Sequence, residues 1–280
     1  MTEKIIQLKE ILNKIEDLNH TNALLDWDHQ VYIPPSGTEE RSEMMTTISE
    51  ISHNFATSDE LGKLIYDLEE EFNSLDPNSD DYALVRVAKR NYERETKIPS
   101  QLIIEFSKIT SVASSYWKKA READDFKQFE PHLNRIVDLT KAIAECFSPY
   151  EHVYDPFLDQ YEPGITTKEV KQIFETIRPQ QVALIKAISE RPQVDDTFLH
   201  QHFPFDKQWE MVMFVAEKFG LSWDRSRQDR SAHPFTTSFG QNDVRITTKI
   251  QENLPMSGLF STMHETGHAL YELGFDPKHR

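Results

Sequence analysis

Apolar residues recur at three- and four-residue intervals through most of the chain up to Gly220, and that spacing commits it to helices. Ile5, Leu8, Ile11, Leu12, Ile15 and Leu18 carry the period at the start, with charged residues between them. Leu61, Leu64, Ile65, Leu68 and Phe72 carry it again, ahead of the turn sequence Asp76-Pro77-Asn78-Ser79. Further helices are expected from about Asp80 to Arg94, Pro99 to Ala123, Phe126 to Phe147 and Phe205 to Phe219. Ser36 with Glu39, after Pro34-Pro35, and Thr166 with Glu169 read as capping boxes that start two more. Tyr154 to Gly164 is aromatic and acidic with two prolines, and reads as an ordered loop. Only eight glycines occur in 280 residues, which suits a helical chain.

The texture changes after Ser231. Val244, Ile246 and Ile250 alternate with Asp243, Arg245, Thr247 and Lys249, and period-two alternation marks a strand with one buried face. With Thr236 to Phe239 across the turn-like Gly240-Gln241-Asn242, it forms a β-hairpin. An extended peptide can pair with the edge of such a strand. A last helix is expected from about Ser257 to Leu273. The fold class is therefore mainly α, with a small hairpin or sheet beside the final helix.

Charge and cysteine usage narrow the functional classes. With 47 acidic against 31 basic residues the net charge is −16, which argues against nucleic acid as a partner. Cys146 is the single cysteine, so neither an internal disulfide nor a cysteine-based zinc site can form; it reads as a small core residue. The first twenty residues have no continuous apolar core of the signal-peptide kind, and no apolar run of membrane-spanning length occurs. A cytoplasmic protein without a membrane partner is expected.

The chemistry concentrates in His264-Glu265-Thr266-Gly267-His268. On a helix, residues four apart differ by about 40° and stack one turn apart, so both imidazoles can reach one metal ion. Glu265 lies about 100° away, placed to hold an attacking water rather than the metal, and to take its proton. Met256, Leu259, Met263 and Leu270 form a stripe expected to anchor this helix in a core. Gly267 costs about 1 kcal/mol relative to Ala inside a helix, and is read as a point of close backbone approach. His29, His53, His132, His152, His200 and His202 lack ligand-like spacing, and Trp27 and Trp117 read as core.

Several blocks in order resemble the carboxypeptidase Taq family of metallopeptidases. They are Ala23 to Asp28 with Pro34-Pro35, Asp159 to Gly164, Ser231 to Thr237, Asp243 to Thr248, and His264 to Gly274. The resemblance implies a multi-helix, zincin-like metallopeptidase with a deep groove, cleaving C-terminal residues from peptide substrates. It implies zinc or cobalt, a homodimer and a cytoplasmic location. His264 and His268 match the family's metal ligands and Glu265 its catalytic base. His233, Asp243 and Arg245 fall in signatures near the site and are candidate substrate-binding residues; Arg245 can meet a substrate carboxylate or pair with Asp243. Residues 1–160 would form one wall or lid of the groove, and residues 161–280 the first part of a catalytic region. Members of the family are longer, and their third metal ligand is a Glu on a helix beyond the last residue here. Glu272, one turn past His268, would reach the metal only with strain, and its plain role is either a hydrogen bond that orients a histidine or simple exposure. The resemblance thus implies a truncated chain without its third ligand, inactive alone, and able to pair with a separate C-terminal half. The residues leave two other readings open: a non-catalytic helical assembly module, and an endo-acting oligopeptidase.

Overall fold

The computed structural model describes residues 2–71 and 76–278. The expected helices form, with ends shifted by a few residues: α1 (Thr2–Val31), α2 (Thr38–Ala56), α3 (Asp59–Glu71), α4 (Asp80–Glu95), α5 (Ser100–Glu122) and α6 (Phe126–Glu145). After these come α7 (Asp155–Tyr161), α8 (Thr167–Ser189) and α9 (Phe205–Lys218), then strands β1 (Ser226–Arg230), β2 (Thr236–Ser238) and β3 (Val244–Thr248), and finally α10 (Pro255–Leu273). Phe72 of the α3 stripe lies outside the described residues. No helix among the described residues is long and apolar enough to cross a membrane.

Two apolar clusters hold the chain together. In the first, Ile5, Leu8 and Ile11 of α1 meet Leu61, Leu64, Ile65 and Leu68 of α3 and Val85 and Ala88 of α4. Each fully buried aliphatic side chain contributes roughly 1.5–3 kcal/mol, so the sequence stripes are the cause of this three-helix contact. Gly62 matters here, because a Cβ at that position would overlap the Tyr92 hydroxyl of α4. In the second cluster, Ala216 of α9 and Leu221 meet Val244 and Ile246 of β3 and Ala269 of α10. Between α1 and α5 the contact is polar: the buried His29 ring lies 3.4 Å from Ser111 Oγ and 3.3 Å from Ser115 Oγ.

Several expectations need correction. Tyr154 to Gly164 is not a loop throughout, since α7 occupies its middle. Pro156 sits in the first turn, where its missing N–H costs nothing. Asp155 accepts N–H bonds from His152 (2.9 Å) and Thr167 (2.8 Å), tying α7 to the start of α8. Arg90 and Arg94 of α4 then hold Asp159. The Ser36/Glu39 capping box does not form: Pro35–Gly37 makes a 3₁₀ turn, and Gly37 occupies the N-cap of α2. The Thr166/Glu169 box does form.

The sheet order is β1-β3-β2, with β2 antiparallel and β1 parallel to β3. β2 and β3 are the expected hairpin; β1 is an additional strand that no apolar alternation marks. Its presence makes β3 the central strand, so β3 has no free edge for a peptide. One face of the sheet carries α9 and α10. The other meets the end of α1, where Trp27 is only 5 % exposed, with the guanidinium of Arg245 4.3 Å and that of Arg227 5.2 Å from its ring centre.

Burial pushes the His29 imidazole below the ordinary histidine value, because charging it inside the α1–α5 contact loses hydration. The unfolded chain therefore binds a proton that the folded chain refuses, between the ordinary value and the lowered one. Stability from this site is complete above the ordinary value and falls as pH drops through that window. We expect denaturant unfolding of a His29→Gln variant to lose up to about 1.4 kcal/mol per pH unit of the parent's acid dependence. An unchanged slope would place the acid sensitivity elsewhere.

Candidate metallopeptidase site

α10 is seated by small and hydroxyl-bearing residues rather than by its large apolar ones. Pro255, Gly258, Thr262, Glu265, Thr266 and Ala269 are its buried positions. Gly258 permits the closest approach, since a Cβ there would stand 3.2 Å from Ile250 Cγ1. Thr248 of β3 accepts from Thr262 at 3.1 Å and lies 3.1 Å from Ser261 Oγ. Met256, Leu259, Met263 and Leu270, expected to anchor the helix, are only half-buried. Gly267 is exposed with nothing near it, so the close approach expected there occurs at Gly258 instead.

This seating turns Glu265 inward and both histidines outward. Glu265 is 7 % exposed, whereas His264 and His268 are exposed. Their Nε2 atoms converge to 3.1 Å, with the rings edge-to-face at 4.7 Å. Two ligands of one tetrahedral zinc, each at about 2.0–2.1 Å, stand about 3.3–3.4 Å apart. The pair therefore fits two positions around a divalent ion with little adjustment. Among the described residues, no group of three His, Cys, Asp or Glu side chains converges to hold a metal.

The carboxylate of Glu265 is fixed by a residue that the periodicity did not single out. Thr236 of β2 donates its hydroxyl to Glu265 Oε2 at 2.6 Å, and the same hydroxyl lies 3.1 Å from the Glu265 carbonyl oxygen. Thr236 pairs with Ile246 in the hairpin register, which points it at α10. Only knowledge of which face of the hairpin meets the helix would have identified it. Thr236 thus engages one of the two carboxylate oxygens.

The other candidates are placed less directly. Arg245 binds Asp243 in a fork, Nε to Oδ1 at 2.8 Å and Nη2 to Oδ2 at 2.7 Å. It also stacks between Trp27 and Phe239, with 4.9 Å to the latter's ring centre. His233 is exposed, and its Nδ1–H donates to the Pro234 carbonyl at 2.7 Å. Thus the structure brings His264 together with His268 and Glu265 together with Thr236, and sets Asp243 with Arg245 on the opposite, α1-facing side of the sheet. His200 pairs with Asp196 at 3.2 Å in an exposed segment.

Replacing Thr236 with Val keeps the shape and removes the donor to a buried carboxylate. A hydrogen bond to a charged group contributes about 1.5–3 kcal/mol, so Thr236→Val should lose that much in denaturant unfolding, and Thr236→Ser should recover most of it. In a Glu265→Gln background the loss should shrink. Equal losses in both backgrounds would mean that the hydroxyl does not act on the carboxylate.

Comparison with known proteins agrees with this geometry. Residues 7–280 match the carboxypeptidase Taq (M32) metallopeptidase family. Carboxypeptidase 1 of Bacillus subtilis (strain 168) is 33 % identical over 268 residues, covering 95 % of this chain and 53 % of that protein. The crystal structure of BsuCP has a TM-score of 0.94 at 32 % identity, covering 99 % of this chain and 55 % of that one. The M32 carboxypeptidase from Deinococcus radiodurans R1 has a TM-score of 0.81 at 33 % identity, with the same coverages. The chain thus spans about half the length of the relatives it matches. It belongs to the carboxypeptidase Taq (M32) metallopeptidase family.

Proposed function

We propose that the protein carries the metal-binding helix of a carboxypeptidase that removes C-terminal residues from peptides, with His264 and His268 as ligands of zinc (or cobalt) and Glu265 as general base. The convergence of the two Nε2 atoms at 3.1 Å, next to a carboxylate fixed by Thr236, is the observation that supports this most. A bound divalent ion supplies Lewis-acid activation of the water and of the scissile carbonyl. The Glu265 carboxylate takes the proton of the attacking water and returns it to the departing amine. Thr236 keeps the carboxylate turned while the proton moves. Arg245 serves the site indirectly, by holding α1 against the sheet. His233 and Asp243 stay in the proposal as substrate-side residues on the strength of their family blocks.

On this reading residues 1–160 form a wall of the substrate groove and residues 161–280 the start of the catalytic region; the two separate apolar clusters favour that division. A homodimer in the cytoplasm is part of the same proposal, resting on the family resemblance. A further segment or chain supplying the third ligand fits the relatives' greater length and the uncovered apolar side chains of α8, among them Phe174, Leu184 and Ile185.

Zinc titration of the 280-residue chain by calorimetry should give one site, abolished in His264→Ala and in His268→Ala and retained in Glu265→Gln. Two histidines alone should bind weakly, and addition of the relatives' remaining half as a separate chain should tighten binding and allow release of single C-terminal residues from a blocked peptide. Release should vanish in Glu265→Gln. Internal fragments instead of single residues would replace the exopeptidase reading with an endo-acting one.

A further inference from the structure

The hydrogen bonds at the two ends of the β1–β3 ladder fix which backbone groups of β1 are spoken for. Val244 N donates to Arg225 O at 3.0 Å, and Ser231 N donates to Thr248 O at 3.2 Å. In a parallel ladder the bonded residues alternate, so Arg227 and Asp229 direct both backbone groups at β3, while Gln228 and Arg230 direct theirs away from it. β1 is an edge of the sheet, and neither Gln228 nor Arg230 has a backbone partner among the described residues. Unpaired strand edges recruit other strands unless they are covered.

This edge forms the floor of a groove of about 510 Å³. Val31 and Tyr32, at the end of α1, form one wall, and Phe205 and Trp209 of α9 form the other. The Phe205 and Trp209 rings are stacked, 5.8 Å apart at 22°, and the Arg230 guanidinium lies 4.5 Å over Phe205. Arg230 is exposed and has no carboxylate partner among the described residues, whereas its neighbours Arg227 and Arg245 both do.

We propose that the outer edge of β1 is a docking site for an extended peptide, which adds to the three-stranded sheet as a further strand. The two helix-borne walls recess the edge, so that β1 of a second folded copy, recessed in the same way, could not reach it; a single extended segment fits. Gln228 and Arg230 each offer one N–H and one carbonyl to the incoming backbone. The aromatic walls select an aromatic or bulky apolar side chain, and Arg230 an acidic residue beside it. The site needs no metal and does not depend on the peptidase reading, so either can fail without the other.

The test uses the whole 280-residue chain and the capped peptide acetyl-Thr-Val-Phe-Glu-Val-Thr-amide, followed by amide hydrogen exchange resolved by NMR. The peptide should bind with a Kd of about 1 mM or tighter, and the amides of Gln228 and Arg230 should then exchange at least about tenfold more slowly. N-methylating every other peptide residue in one of the two registers, but not in the other, should weaken binding by about tenfold or more. The surface variant Arg230→Gln should weaken it less, and only when the peptide carries Glu. Absence of saturable binding, saturation without protection at Gln228 and Arg230, or insensitivity to N-methylation in both registers would each overturn the proposal. Protection that rises with protein concentration in the absence of peptide would also overturn it, assigning the edge to a second copy.

Discussion

The contact between α10 and β3 sets the terms for everything around the site. A helix can lie this close to a sheet only where its inward residues are small, and Gly258, Thr262, Thr266 and Ala269 meet that condition. The hydroxyls of Thr248, Ser261 and Thr262 bond to each other across the contact, whereas the buried Thr266 hydroxyl has no hydrogen-bond partner among the described residues. Once the helix is seated this way its rotation is fixed. Glu265, about 100° around the helix from His264, turns to β2, where Thr236 meets it, and the histidines themselves turn out together.

The opposite face of the sheet is organised by charge and aromatic surface rather than by aliphatic packing. Arg227 pairs with Asp229 on its own strand, Arg245 pairs with Asp243 just ahead of β3, and both arginines lie against Trp27. Tyr32 adds a hydrogen bond to the buried Asp229. Burial of Asp229 is tolerated because Arg227 and Tyr32 meet its oxygens. The end of α1 is thereby tied to the strands that carry the site, and the first core cluster ties the other end of α1 to α3 and α4.

Much of this was legible in the sequence, because the helices bury one-sided stripes and the stripes are periodic. The spacing of His264 and His268 sufficed to place them together, since helix geometry alone makes them neighbours. β1 was not legible. Its sequence, Ser-Arg-Gln-Asp-Arg, has no apolar alternation, because its inward needs are met by Asp229 with Arg227, and by Gln228 with Thr262. α7 was hidden by two prolines that mark breaks in most contexts: here Pro156 stands at the helix start and Pro163 just past its end. The role of Thr236 depends on a register between strands, and register is a property of pairs of segments that no single segment displays. The Met256 to Leu270 stripe misled for a related reason: side-chain size predicts burial on average, but close approach favours the small face.

α8 buries none of its residues among the described ones, although it is 23 residues long and includes Pro179. Its helicity therefore rests on local terms: the Thr166–Glu169 box, and side-chain pairs such as Lys171–Glu175 at 3.8 Å and Lys186–Glu190 at 3.9 Å. Such terms are each a few tenths of a kcal/mol for exposed pairs, too little to couple α8 to either core. Heat or acid would then fray α8 while the rest of the chain stays folded, and proteases would find their first cuts along it. Any segment that covers Phe174, Leu184 and Ile185 would convert this helix from an independent melting unit into part of the cooperative whole.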